Sequence, residues 1–257
     1  MSYFAPRHTL RNVLWIGFFA AILAAWAVMY AMSRQAGVDL LGRPAEGMGA
    51  MMGPAPFDVL LGMWAVMMAA MMLPTMVPTL RAYEDLIYAM NATWGGWIGV
   101  LAGYMLAWIG FAVLITGGQF ALLGAGLIDG MGRATSLWVT GALLSLVGLF
   151  QFSRTKAICH GVCHAPMTHF LGHWRPGIWG GIRMGGTLGL YCCGCCWGYM
   201  VLGFTGGVMN LLWMGLATFF MVLEKLPQVG HYLMRPIGSA LLAGGMTSMV
   251  LATGLLS

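Results

Sequence analysis

The sequence predicts an all-α fold: a polytopic transmembrane bundle of about seven helices, or six if a short sixth segment does not cross, with its N-terminus in the cytoplasm. Three observations predict it. Of 257 residues, 60% are apolar and only 7% charged, against about 25% charged in an ordinary soluble domain. The apolar residues fall into runs close to the ~20 that a bilayer core requires. The Lys and Arg residues are shared unevenly between the two sides that these runs define. A mean hydropathy of +0.83 agrees. This composition excludes a soluble enzyme, a disordered tail and a nucleic-acid binder, and it makes membrane lipids the chain's first partner.

The runs are Val13 to Met32, Phe57 to Leu80 (broken by Pro74 and Pro78), Trp94 to Leu123, Ala134 to Phe152, Gly181 to Val208, Leu211 to Leu223, and Pro236 to Leu256. The sixth is short for a full span and is tilted, re-entrant or continued beyond Glu224. Ala25-Trp26-Ala27 resembles a signal-peptidase site, but the apolar run continues to Met32, so residues 1–32 read as a retained anchor. With an odd number of spans, one side carries Arg7, Arg11, Arg81, Arg154, Lys156, Arg175, Arg183, Lys225 and Arg235; the other carries Arg34, Arg43 and Arg133. The richer side is the cytoplasmic one. Residues 1–257 thus form one integral membrane domain of an inner (cytoplasmic) membrane, with a cytoplasmic Cys/His loop at 153–180. No internal repeat marks an inverted-repeat carrier.

The second run holds Met63, Met67, Met68, Met71, Met72 and Met76. On a helix Met63, Met67 and Met71 lie within about 80° of one another, and Met68, Met72 and Met76 form a second stripe beside them. Met48, Met51 and Met52 precede them in the outer loop. A thioether is a soft, neutral donor that suits Cu(I) and needs no deprotonation. The same residues also serve as flexible apolar gap-fillers, and Pro74 reads as an ordinary kink.

The fifth run contains Tyr191-Cys192-Cys193-Gly194-Cys195-Cys196-Trp197. On a helix Cys192, Cys195 and Cys196 fall within about 100°, with Cys193 to the side. A four-thiolate zinc site from such a short stretch requires unwinding at Gly194, whereas Cu(I) accepts fewer ligands. Close helix packing and CxxC thiol–disulfide exchange are the other readings of the same residues. Counted from the two membrane faces, Cys192 lies about 16 Å deep and Met67 about 14 Å, so both sit near the midplane.

Within 153–180, Cys159 and Cys163, His160 and His164, and His169 and His173 are each four residues apart. That spacing places each pair on one helical face, and thiolate with imidazole suits Cu(I) or Zn(II). The spacing of Cys159, Cys163 and His164 is one residue too long for haem attachment. An interfacial loop anchored by Phe170 and Trp174 is the plainer alternative. Glu224-Lys225 reads as a snorkelling pair at an inner helix end. Catalytic triads, phosphate-binding Gly loops and paired-carboxylate sites are missing, which weighs against hydrolase or ATP-driven chemistry.

Several of these motifs recur together. They are Met67-Met68-x-Ala70-Met71-Met72-x-Pro74, Lys156-x-x-Cys159-x-x-x-Cys163-x-x-Pro166, Trp174-Arg175-Pro176-Gly177, and Gly189-x-Tyr191-Cys192-x-Gly194-Cys195-Cys196-Trp197. Gly206-Gly207-Val208-Met209-Asn210 and Glu224-Lys225 complete the set. In this order they resemble the bacterial domain-of-unknown-function 2182 family of metal-binding integral membrane proteins, over roughly residues 57–255. The resemblance implies a multi-helix bacterial inner-membrane protein with a metal site. His160, His164 and Cys193 depart from the family pattern. The donor set as a whole points to Cu(I) ahead of zinc, held by Cys192, Cys195, Cys196, Cys159, Cys163, Met63, Met67, Met71 and His164. The first expectation is copper transport, or delivery to a membrane or soluble protein partner. A membrane thiol–disulfide oxidoreductase and a non-catalytic subunit or assembly factor of a larger complex are the alternatives.

Overall fold

The computed structural model describes residues 5–43, 55–90, 92–226 and 229–254. In chain order the helices are α1 (Ala5–Gln35), α2 (Phe57–Met72), α3 (Val77–Ala89), α4 (Trp94–Gly124), α5 (Leu137–Gln151) and α6 (Arg154–His164). They continue with α7 (Pro166–Gly172), α8 (Gly177–Val201), α9 (Gly203–Gly206), α10 (Leu211–Glu224) and α11 (Gly230–Ala252). The architecture is an all-α bundle, with an isolated β-bridge between Ile128 and Ala134.

Each of the seven apolar runs contains a helix, but they differ in reach. Four stretches are long and apolar enough to cross a bilayer: 9–35, 57–89, 94–124 and 177–206. A fifth arises if α5 and α6, bent by 63° at Phe152-Ser153, are taken as one broken span. α5 has 15 residues and α10, the sixth run read from sequence as short for a full span, has 14, both below ~20. α11 has the length, at 23 residues, but carries Arg235 and an internal Pro236. Segment 153–180, read from sequence as a loop, is largely helix: α6 and α7 fold back against the bundle.

Glycine seams set the packing. Gly99 and Gly103 of α4 face Gly181 and Gly185 of α8 so closely that a Cβ on any of them would collide with a backbone carbonyl of the opposite helix. Such small-residue faces let membrane helices approach closely when lipid removes the hydrophobic drive to associate. α5 and α11 use the same device at Gly141 and Gly245. Large aromatic side chains fill the interior, with Trp64, Trp97, Trp108, Tyr83 and Tyr104 fully buried. The Trp64 indole donates to Gln119 Oε1 at 2.7 Å, as a buried N–H requires. α1 is tied to α3 through Glu84, which accepts from Trp15 Nε1 at 2.9 Å and pairs with Arg11. Its outer side chains Ile16, Phe19 and Leu23 stay exposed, as a lipid-facing surface requires.

The proline kink shapes the centre of the bundle. Pro74 has no N–H to continue the α2 ladder, so the chain tightens into a 3-10 turn over Pro74–Met76 before α3. The Met76 N–H bonds to Leu73 O at 2.9 Å instead of to Met72 O. Thr75 Oγ1 takes the released Met72 carbonyl at 2.8 Å. The kink thereby turns a hydroxyl into the interior of a membrane-spanning segment.

Candidate metal centre

Three helices meet at the kink. α8 remains helical through its cysteines, without the unwinding at Gly194 that a four-thiolate site from this stretch alone would need. Gly194 instead lets α6 approach: a Cβ there would sit 2.8 Å from Cys159 Sγ. One turn further along α6, Cys163 reaches the cluster. The sulfurs of Cys163, Cys192 and Cys195 all lie within 4.8 Å of one another, and all three residues are buried. Cys195 Sγ is 3.8 Å from Cys163 Sγ and 3.4 Å from Cys196 Sγ, and Cys196 Sγ is 3.9 Å from Cys192 Sγ. All six cysteines are free thiols.

These separations match a soft-metal donor set. With metal–sulfur bonds near 2.3 Å, two sulfurs in a line stand about 4.6 Å apart and three in a plane about 4.0 Å apart. Cys193 does not take part; its sulfur faces the Ala107 carbonyl of α4 at 3.9 Å. The sequence reading treated Cys159 and Cys163 as a separate site toward the cytoplasm. The structure instead splits the pair, with Cys163 in the cluster and Cys159 half-exposed against Gly194.

A buried cation completes the centre. Lys225, 6% exposed, donates to Thr75 Oγ1 at 2.9 Å, to Cys192 Sγ at 3.1 Å and to Tyr104 OH at 3.2 Å. Tyr104 OH also lies 3.0 Å from Cys192 Sγ, 3.1 Å from Thr75 Oγ1 and 4.0 Å from Met72 Sδ. The ammonium spends all three of its N–H donors on groups from the kink, α4 and α8. Lys225 is therefore not the snorkelling partner of Glu224 that the sequence reading made it.

Its neighbour Glu224 turns to a second buried network. It accepts from Lys156 Nζ at 2.9 Å and from Tyr199 OH at 2.7 Å. Its backbone carbonyl meets His160 Nε2 at 2.7 Å, and Gln151 Nε2 donates to Tyr199 OH at 3.2 Å. Two of these partners, Lys156 and His160, belong to α6, so Glu224 clamps the helix that presents Cys163. His164 is half-buried and stacks on His160 with ring centroids 5.4 Å apart. His169 stacks on His173 at 4.9 Å. Burial first, and the nearby His173 second, hold the His169 imidazole below its ordinary range.

The methionines divide by stripe. Met63, Met67 and Met71 are all buried, Met67 and Met71 on the α2 face directed at α8, α9 and α10. Met67 and Met71 border a small void together with Met200, Tyr199 and Met214. Met72, from the stripe the sequence reading set aside, is the methionine that reaches the Tyr104–Cys192 hydroxyl–thiol network. Met48, Met51 and Met52 lie outside the described residues.

Sequence reasoning missed Lys225, Tyr104 and Thr75. The available signal was Lys225 itself, an ionisable residue at the end of an apolar helix in a chain with few charges, which is by default a functional candidate.

No curated protein and no solved structure matches the chain. A family model described as a copper chaperone, PpoB2, matches residues 61–248. That range runs from within α2 through most of α11, with every cysteine and Lys225, and nearly coincides with the stretch of the sequence resemblance. The match supports a copper-related family and does not carry the domain-of-unknown-function 2182 name itself. On a match spanning well over half its length, the chain belongs to the PpoB2 copper chaperone family.

Proposed function

We propose that this is a multi-pass protein of the bacterial inner membrane that binds Cu(I) at the buried thiol cluster and delivers it to a partner protein. The carrying observation is the convergence of Cys163, Cys192 and Cys195 within 4.8 Å, with Lys225 Nζ 3.1 Å from Cys192 Sγ. Of the three acceptors around that ammonium, the thiol is the one that ionises most readily, with a reference pKa of about 8.5 against about 10 for a phenol. A Cys192 thiolate is thus the counter-ion that a buried ammonium needs. Two thiolates on Cu(I) leave a net charge of −1, which Lys225 cancels. Four thiolates on Zn(II) would leave −2, of which one unit would stay buried and uncompensated. Charge balance therefore favours Cu(I) on two thiolates, any third sulfur being a neutral thiol, over a four-thiolate zinc site.

Cys195 and Cys196 stand beside this pair as exchange ligands, since soft donors at such separations replace one another with little reorganisation. Cys159, half-exposed one turn before Cys163, and His164, adjacent to it, are the groups we assign to the exit toward the partner. Met63, Met67 and Met71 are assigned to the opposite approach. The positive-inside bias supports placing the α6–α7 end in the cytoplasm.

The test is metal content. Protein purified in mild detergent under reducing conditions and loaded with Cu(I) is expected to retain it, with sulfur-only ligation in X-ray absorption. The variant Cys163→Ser/Cys192→Ser/Cys195→Ser is expected to lose the tightly held copper. Unchanged copper content in that variant would refute the assignment.

A further inference from the structure

Away from the thiols, a cavity of about 280 Å³ opens where the ends of α1, α2 and α4 meet the loops before α5 and α10. Four of its thirteen lining residues are methionines: Met32, Met63, Met131 and Met209. Among the described residues no carboxylate, imidazole or thiol lines it; the polar side chains there are Gln35 and Gln119. Methionine often fills gaps in a core, but here the four side chains line one cavity. They reach it from four separate segments, so no single helical repeat produces the coincidence.

This cavity is continuous in sequence register with the thiol cluster. Met63, Met67 and Met71 follow at intervals of four along α2, so they lie one above another on a single face. Met67 and Met71 border the small void that Met200 and Met214 close from the other side. On α8, Met200 lies four residues beyond Cys196, which lies four beyond Cys192; these three also share a face. Cys196 Sγ is 3.4 Å from Cys195 Sγ. Thioethers therefore line two successive spaces that end at the thiols.

From this arrangement we infer that the cavity is a second soft-metal site, in which Met32, Met63, Met131 and Met209 take Cu(I) before it passes along Met67, Met71 and Met200 to the thiol cluster. The inference rests on Cu(I) being the cargo. The ligand class follows from the donors: neutral thioethers with no carboxylate select a monovalent soft ion and leave hard cations in water. Neutral ligands leave the ion's charge uncompensated, so this site holds Cu(I) more weakly than the thiolates do and yields it inward.

The experiment is anaerobic titration of the full-length protein in detergent with Cu(I), read by competition with a chromophoric Cu(I) chelator and by X-ray absorption. The native chain is expected to take a tight equivalent and a weaker one, the weaker with thioether ligation. Met131→Leu/Met209→Leu, close in volume, is expected to weaken the second equivalent at least tenfold while helical circular dichroism and the tight equivalent stay as they are. A weaker equivalent that survives this substitution, or a native chain that takes only one, overturns the inference. The Cys163→Ser/Cys192→Ser/Cys195→Ser variant separates the two claims. It should keep the weaker equivalent and lose the tight one; if it keeps both, the thiol assignment fails and the methionine site stands.

Discussion

Replacing Lys225 with Met tests whether the ammonium is part of the metal centre or merely buried beside it. The substitution keeps the length and apolar stem of the side chain and removes one positive charge 3.1 Å from Cys192 Sγ. At that distance, with an effective dielectric constant of 20, the Coulomb attraction between unit charges is about 5 kcal/mol. Relaxation around the site reduces this, and breaking a buried pair typically costs about 3–5 kcal/mol. Taking about 3 kcal/mol as the share felt by a metal thiolate group of charge −1, the Kd for Cu(I) should rise about a hundredfold. The assay is competition with a Cu(I) chelator of known affinity at fixed pH, with apo-protein melts run in parallel. Lys225→Arg keeps the charge and should recover most of the affinity. A double-variant cycle with Cys192→Ser should give strong coupling in apo-protein stability. Native copper affinity in Lys225→Met, or additive effects in the cycle, would refute the charge-balance reasoning.

Three further outcomes follow from the same structure. Glu224→Gln leaves the Lys156 ammonium, 1% exposed, without its carboxylate; it should destabilise the protein by about 3–5 kcal/mol, read as a lower unfolding midpoint in detergent. The paired change Lys156→Met/Glu224→Leu should recover much of that loss. Gly185→Ala drives a Cβ into the Val100 carbonyl across the α4–α8 seam and should cost about 3 kcal/mol by overpacking, visible in the same melts. His169, held in its neutral form by burial and by His173, should make stability depend on pH. Its folded pKa is lowered, so the unfolded chain takes the proton first: stability is level above the ordinary histidine value near 6.5 and declines as pH falls below it. His169→Gln should flatten that decline.

Much of the bundle is legible in the sequence because membrane helices announce themselves by run length and composition. Each of the seven apolar runs contains a helix, and Met63, Met67 and Met71 do share one face, since both patterns are local. What was illegible is which faces meet. Periodicity within α8 groups Cys192, Cys195 and Cys196 but carries no information about a partner 32 residues away, so Cys163 looked like a separate site. α6 itself read as loop because its Arg, Lys, Cys and His side chains break the apolar pattern; they are helical because buried partners on α8 and α10 receive them. Lys156 and Lys225 were counted as surface charges when orientation was read, yet both are buried.

The placement of Glu224 and Lys225 links binding to the shape of the site. Adjacent residues on a helix point about 100° apart, so one turn at the end of α10 serves two networks. Glu224 closes a neutral network with Lys156 and fixes α6, and with it the position of Cys163. Lys225 turns to α8 and brings a positive charge that only an ionised thiol beside it can offset. The first network sets how many sulfurs converge, and the second sets the charge they can carry together. A centre built this way admits a monovalent ion on two thiolates with no net charge left over. A divalent ion with four thiolates, or a hard ion seeking carboxylates, meets a buried imbalance that, among the described residues, Lys225 alone does not cancel at the cluster.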